Sequence, residues 1–219
     1  MKALFDPDSP IMRFLALLAD LMLLELLMLI CCLPVVTGGA ALSAMHYILL
    51  KMVRDEEGHI VRPFFKAFKD NLKQGTLLWL LFLSAGFLFV WDFYLVRTQP
   101  EVFPGPMKYL LTGLGFMLLM IFVWVFPLQS HFYNPASMTL KNALILAVGR
   151  FPRTLGMAAV TVLPFVILLF VPAVIPLLMM FWLSGTGYVC ALLYDPVFRS
   201  FEPKEEGEEL SGEESGEED

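Results

Sequence analysis

The sequence predicts an all-α fold, a polytopic bundle of membrane-spanning helices, on three observations. Its 219 residues are 58% hydrophobic and 16% charged, with mean hydropathy +0.72, against about 45–50% and about 25% in soluble domains. The apolar residues gather in four long blocks, and the basic residues collect in the segments between them. The first observation excludes an ordinary water-soluble enzyme. It also excludes a disordered chain, except at the C-terminal end.

The blocks are Phe14–Leu50, Gln74–Val96, Tyr109–Ser130 and Thr154–Tyr194. A bilayer core of roughly 30 Å takes about 20 helical residues, so the first and last blocks are each two spans long. Proline marks where each folds back. In the first, Leu33-Pro34-Val35-Val36-Thr37-Gly38-Gly39 stops one helix and offers Thr37 as a cap for the next. In the last, Val171-Pro172-Ala173-Val174-Ile175-Pro176 does the same.

Six spans follow, near 14–33, 38–53, 74–96, 107–132, 153–171 and 175–196, within a membrane domain of residues 1–201. The second is short. As a re-entrant segment it would leave five. Loop charge separates the alternatives. With six spans and both termini inside, 13 of the 15 Lys and Arg side chains are cytoplasmic, and only Arg97 and Lys108 lie outside. Five spans give 11 against 4, so six is preferred.

Two cytoplasmic connectors are expected to be helical. In 60–73, Val61, Phe64, Phe65, Phe68 and Leu72 group on one face, with Arg62, Lys66, Lys69 and Lys73 on a separate sector. A basic amphipathic helix beside a span fits the headgroup region, or else a partner-docking surface. Segment 137–149 is apolar nearly all round, which points to burial. Span, inner helix, span thus occurs twice, as 38–96 and 107–171, the pattern of an internal duplication.

The net charge of −6 is concentrated at one end. Ten of the 21 acidic residues lie between Glu202 and Asp219, with one base, Lys204. Residues 202–219 therefore read as a disordered, solvating tail. The body carries 14 bases and 11 acids. Cys31, Cys32 and Cys190 sit in apolar runs without metal or redox spacing. The N-terminal apolar stretch is too long for a signal peptide and carries Asp20 and Glu25.

The turn Leu33-Pro34-Val35-Val36-Thr37-Gly38-Gly39-Ala40 and the helix Phe64-Phe65-Lys66-Ala67-Phe68-Lys69-Asp70-Asn71-Leu72-Lys73-Gln74 together resemble the YesL family of bacterial integral membrane proteins of unknown function. The resemblance covers roughly residues 10–200, including Lys141-Asn142-Ala143-Leu144. It implies a bacterial plasma-membrane location and an association with carbohydrate uptake systems, ABC transporters among them, whose permease subunits become candidate partners. It supplies no catalytic or binding residue.

Intramembrane charges are costly and usually face protein or water. Asp20 and Glu25 stand about 140° apart around their helix, so they do not form one paired site. If the chain reverses at Pro34–Thr37, Glu25 falls level with His46, and Asp20 with Lys51. Two polar pairs are therefore expected, Glu25–His46 inside the bundle and a looser Asp20–Lys51 near the inner surface. Asp92 and Asp195 sit near span ends, and His131 and Asn134 flank the inner end of the fourth span.

No nucleotide loop, zinc-protease or nucleophile-elbow motif is present. No catalytic residue, cofactor, metal or nucleic-acid partner is expected, and the lipid bilayer is the expected environment. Gly39, Ala40, Ser43 and Ala44, and later Gly187 and Ala191, have the small-residue spacing of close helix packing. Two functions stay open: a non-enzymatic accessory or regulatory component of carbohydrate uptake, or a small transporter using the charges of the first hairpin. An intramembrane enzyme ranks behind both.

Overall fold

A computed structural model describes residues 10–56, 58–99, 101, 105–171, 173 and 175–202, without the side chains of 176–179. The acidic tail beyond Glu202 lies outside the described residues. Among the described residues all regular secondary structure is helical, as expected, and a 3₁₀ turn at Val35–Thr37 precedes the second α-helix. The helices are α1 (Pro10–Cys31), α2 (Gly38–Val53), α3 (Val61–Thr98), α4 (Met107–His131), α5 (Ala136–Gly149), α6 (Phe151–Phe170) and α7 (Ile175–Arg199). Among the described residues, five stretches are long and apolar enough to cross a membrane: α1, α2 with its 3₁₀ turn, α3, α4 and α6. At 25 residues α7 matches them in length.

Apart from α2, the helices bury part of their surface and leave large apolar side chains exposed on the remainder. In α1 the buried stripe is Leu21, Leu24, Glu25 and Met28, while Met22, Leu23, Leu26 and Ile30 face outward. Exposed leucine over most of a helix surface suits lipid as the solvent. The innermost element is α2, packed against α1, α3, α4 and α7. Its small residues Gly39, Ala40, Ser43 and Ala44 are all buried.

Turn chemistry differs from expectation at Thr37. Its hydroxyl does not cap α2. It donates back to the carbonyl oxygens of Cys31 (2.6 Å) and Pro34 (2.8 Å), closing the end of α1. At the other end of α2, Asp55 adopts a left-handed backbone, φ 54°, and the Glu56 N–H reaches the Lys51 carbonyl. This is a Schellman-type stop with aspartate where glycine is commoner. It leaves Arg54 at the tip of α2.

The two connectors differ from their sequence reading. Residues 61–73 are not a separate surface helix. They are the first turns of α3, a continuous 38-residue helix about 57 Å long. No proline or cap interrupts Lys73-Gln74-Gly75, so the hydrogen-bond ladder runs through. Its Phe64 and Ala67 are buried in the core, while Val61 and Phe65 stay exposed. In contrast α5 stands apart, bounded by Pro135 and Arg150. It is only half buried: Thr139, Ala143, Leu146 and Ala147 face in, and Met138, Ile145 and Val148 face out. The two halves of the chain therefore do not repeat one another element for element.

One end of the bundle gathers the start of α1, the α2–α3 and α4–α5 turns, the start of α6 and the end of α7. It carries Arg13, Lys51, Arg54, Arg62, Lys66, Lys69, Lys73, Lys141, Arg150, Arg153 and Arg199. The far end carries Arg97 and Lys108 at the α3–α4 connection.

Candidate functional site

Within the bundle, Glu25 and His46 do not meet. Glu25 is 3% exposed. Its carboxylate accepts the backbone N–H of Ser184 at 2.7 Å and that of Leu183 at 3.3 Å, both on α7. His46 finds a different partner on the same helix, with Nδ1 3.3 Å from the Tyr194 hydroxyl. That hydroxyl also lies 3.4 Å from the His46 carbonyl oxygen. The expected Glu25–His46 pair fails because it presumed that α1 and α2 face each other throughout. In fact α7 also packs along both, and its polar groups take the two side chains.

Asp20 and Lys51 do share a site, though not an ion pair. Both line a cleft of about 680 Å³ between α1 and the end of α2, along with Arg13, Asp55, Glu56 and His59. The Lys51 ammonium lies 3.4 Å from Glu56 and over the Tyr47 ring. Glu56 follows the Asp55 turn directly, so the chain's own reversal supplies the nearer carboxylate.

The tip of α2 holds a charge network that sequence reasoning passed over. Arg54 donates through Nε to Asp195 (2.7 Å) and through Nη2 to Glu202 (2.8 Å). Asp195, 5% exposed, also accepts from Arg199 (2.8 Å). Glu202 meets His131 Nε2 at 2.6 Å, and the His131 ring stacks on Phe198. The Arg54 hydrogen bond holds the Glu202 carboxyl below its ordinary value, slight burial opposing and His131 assisting. The spacing of Asp195 and Arg199, one helical turn apart, was the available signal. Arg54 and His131 give no such signal, because their partner is about 70 or more residues away.

A second cleft, about 590 Å³, opens between the end of α2, the first half of α3 and the α4–α5 turn. Arg62 and Lys66 line it, as do Lys51 and Asp70; Lys69 and Lys73 are exposed on the same helix but are not among the lining residues. Its floor is an amide chain. Asn71 Nδ2 donates to the Ala67 carbonyl (2.9 Å), which turns Asn71 Oδ1 toward Gln129 Nε2 (3.2 Å). Gln74 Nε2 donates to the Asn134 carbonyl (2.7 Å). That order fixes the Gln129 amide and leaves its Oε1 buried without a partner. Among the described residues no group of three metal-ligating side chains occurs.

Residues 21–93 match a family described as "Protein of unknown function, DUF624". This stretch holds the Pro34–Gly39 turn, α2 and most of α3, and it agrees with the resemblance drawn from those same residues. The chain is also 25% identical over 137 residues to "Uncharacterized protein YteU" of Bacillus subtilis (strain 168), covering 62% of this chain. The match spans 61% of that relative's length. No solved structure matches.

Proposed function

We propose that this chain is a non-enzymatic membrane subunit accompanying a carbohydrate uptake system of the ABC type. It would lie in a bacterial plasma membrane with both termini in the cytoplasm. The supporting observation is the form of α3. Its exposed basic row Arg62, Lys66, Lys69 and Lys73 stands on a helix continuous with a span and locked to α2. A charged surface held rigidly at the end of a bundle suits docking, since little side-chain or segment ordering is left for the encounter. The carbohydrate assignment itself rests on the resemblance read from the sequence. The transporter reading needs a shared midplane site, and Glu25 and His46 have separate partners.

Purification of the tagged full chain from its native membranes in mild detergent tests this. ABC permease subunits should co-purify, and reversing the charges at Arg62, Lys66, Lys69 and Lys73 should release them. Sugar flux in liposomes holding the purified chain alone would instead establish the transporter.

A further inference from the structure

The second cleft contains both halves of a recognition problem. Its rim is cationic. Arg62 and Lys66 are exposed and have no ion-pair partner within 4.0 Å among the described residues, and Lys51 is shared with Glu56. One carboxylate, Asp70, stands against these three. A guanidinium fork and an ammonium converging on one cleft suit an oxyanion with several terminal oxygens. The floor has the opposite need. Gln129 is 5% exposed, its Oε1 is unpartnered, and the Asn71 contact prevents the amide from turning its nitrogen outward. A buried acceptor of this kind is destabilising unless a donor reaches it.

An inorganic anion answers the rim and has no alcohol hydroxyl to hold out to the floor. A neutral polyol does the reverse. The ligand that meets both carries hydroxyl hydrogens on one side and an anionic phosphate on the other, with Asp70 available to accept a second hydroxyl. Tyr47 and Phe132 add ring surface to the walls. We propose that the cleft between α2, α3 and the α4–α5 turn binds a polyol phosphate. Two sources carry this chemistry: the phosphoglycerol headgroup of a membrane lipid, and a soluble polyol phosphate. The proposal goes beyond docking and needs no protein partner, so its failure would leave the proposed partnership standing.

The test uses the full chain in nonionic detergent, with binding read from the ligand-dependent shift in melting temperature. Phosphatidylglycerol is compared with phosphatidic acid, which lacks the glycerol hydroxyls, and glycerol 3-phosphate with inorganic phosphate. One hydroxylated probe should bind about tenfold tighter than its bare counterpart, the difference one good hydrogen bond supplies. Preference in the first comparison assigns a lipid headgroup; in the second, a soluble ligand. Gln129→Leu should abolish the preference while keeping the phosphate-dependent part. The double change Arg62→Gln and Lys66→Gln, at two exposed positions, should weaken every probe about tenfold. It also keeps the test decisive if Gln129→Leu does not fold. Equal binding of hydroxylated and bare probes, no binding at all, or a double variant indistinguishable from wild type would each overturn the proposal.

Discussion

Gly39 of α2 and Gly75 of α3 touch backbone to backbone. A methyl group on Gly75 would sit 2.8 Å from the Ala40 nitrogen, and one on Gly39 would sit 2.6 Å from the Trp79 Cβ. This contact brings α2 and α3 together, and it lets the Trp79 indole donate to the Val35 carbonyl at 2.8 Å.

Replacing either glycine by alanine should therefore separate the helices. Gly39→Ala is expected to cost about 1–3 kcal/mol, the range for overpacking a filled interface. Gly86→Ala is the control, because nothing lies within 4 Å of its added carbon; it should be neutral or stabilising by up to about 1 kcal/mol. Melting of both variants in the same detergent checks this. A Gly39→Ala protein as stable as wild type would refute the close approach.

Glu25 offers a graded series. Glutamine keeps one acceptor oxygen for the Ser184 and Leu183 amides, and leucine keeps none. Stability should fall in the order Glu, Gln, Leu, with the leucine variant down by about 1–3 kcal/mol. A leucine variant that melts above wild type would mean that burying the carboxylate costs more than its two hydrogen bonds return.

The charge network gives stability a pH dependence of definite sign. Glu202 is held below its ordinary value of 4.5, chiefly by Arg54, so the folded state binds fewer protons there than the unfolded state. Its contribution is complete above about pH 4.5 and is lost as pH falls through the depressed value. Glu202→Gln should lower the melting temperature at neutral pH and flatten the decline on acidification. An unaltered acid limb in that variant would remove Glu202 from the network.

Topology can be read with reporter fusions after Asp8 and after Arg199. Charge asymmetry expects both to report the cytoplasm. An outside result for the first alone would reduce the spans from six to five.

The helices were legible in the sequence because lipid imposes long apolar runs and prolines punctuate them. Pro34 and Pro135 both stand where helices end. Side-chain destinations were legible only when local. The buried stripe Leu21, Leu24, Glu25 and Met28 already turned Glu25 inward, yet nothing nearby named Ser184 as its donor. Periodicity also could not separate α3 from a surface helix followed by a span, since amphipathic turns and lipid-facing turns share one ladder. The amide floor at Asn71, Gln74 and Gln129 was missed for a related reason. Its members lie on two helices, and each alone resembles an ordinary polar residue near a span end.

The Glu25 clasp imposes a schedule on biosynthesis. Ser184 follows Glu25 by 159 residues, which at about 5–20 residues per second takes the ribosome roughly ten to thirty seconds. Throughout that interval α1 holds an acid whose donors on α7 have not been made. Until α7 arrives, water or other donors must answer that carboxylate. A chain that stops before Leu183 lacks both of the amides that answer this carboxylate in the finished fold.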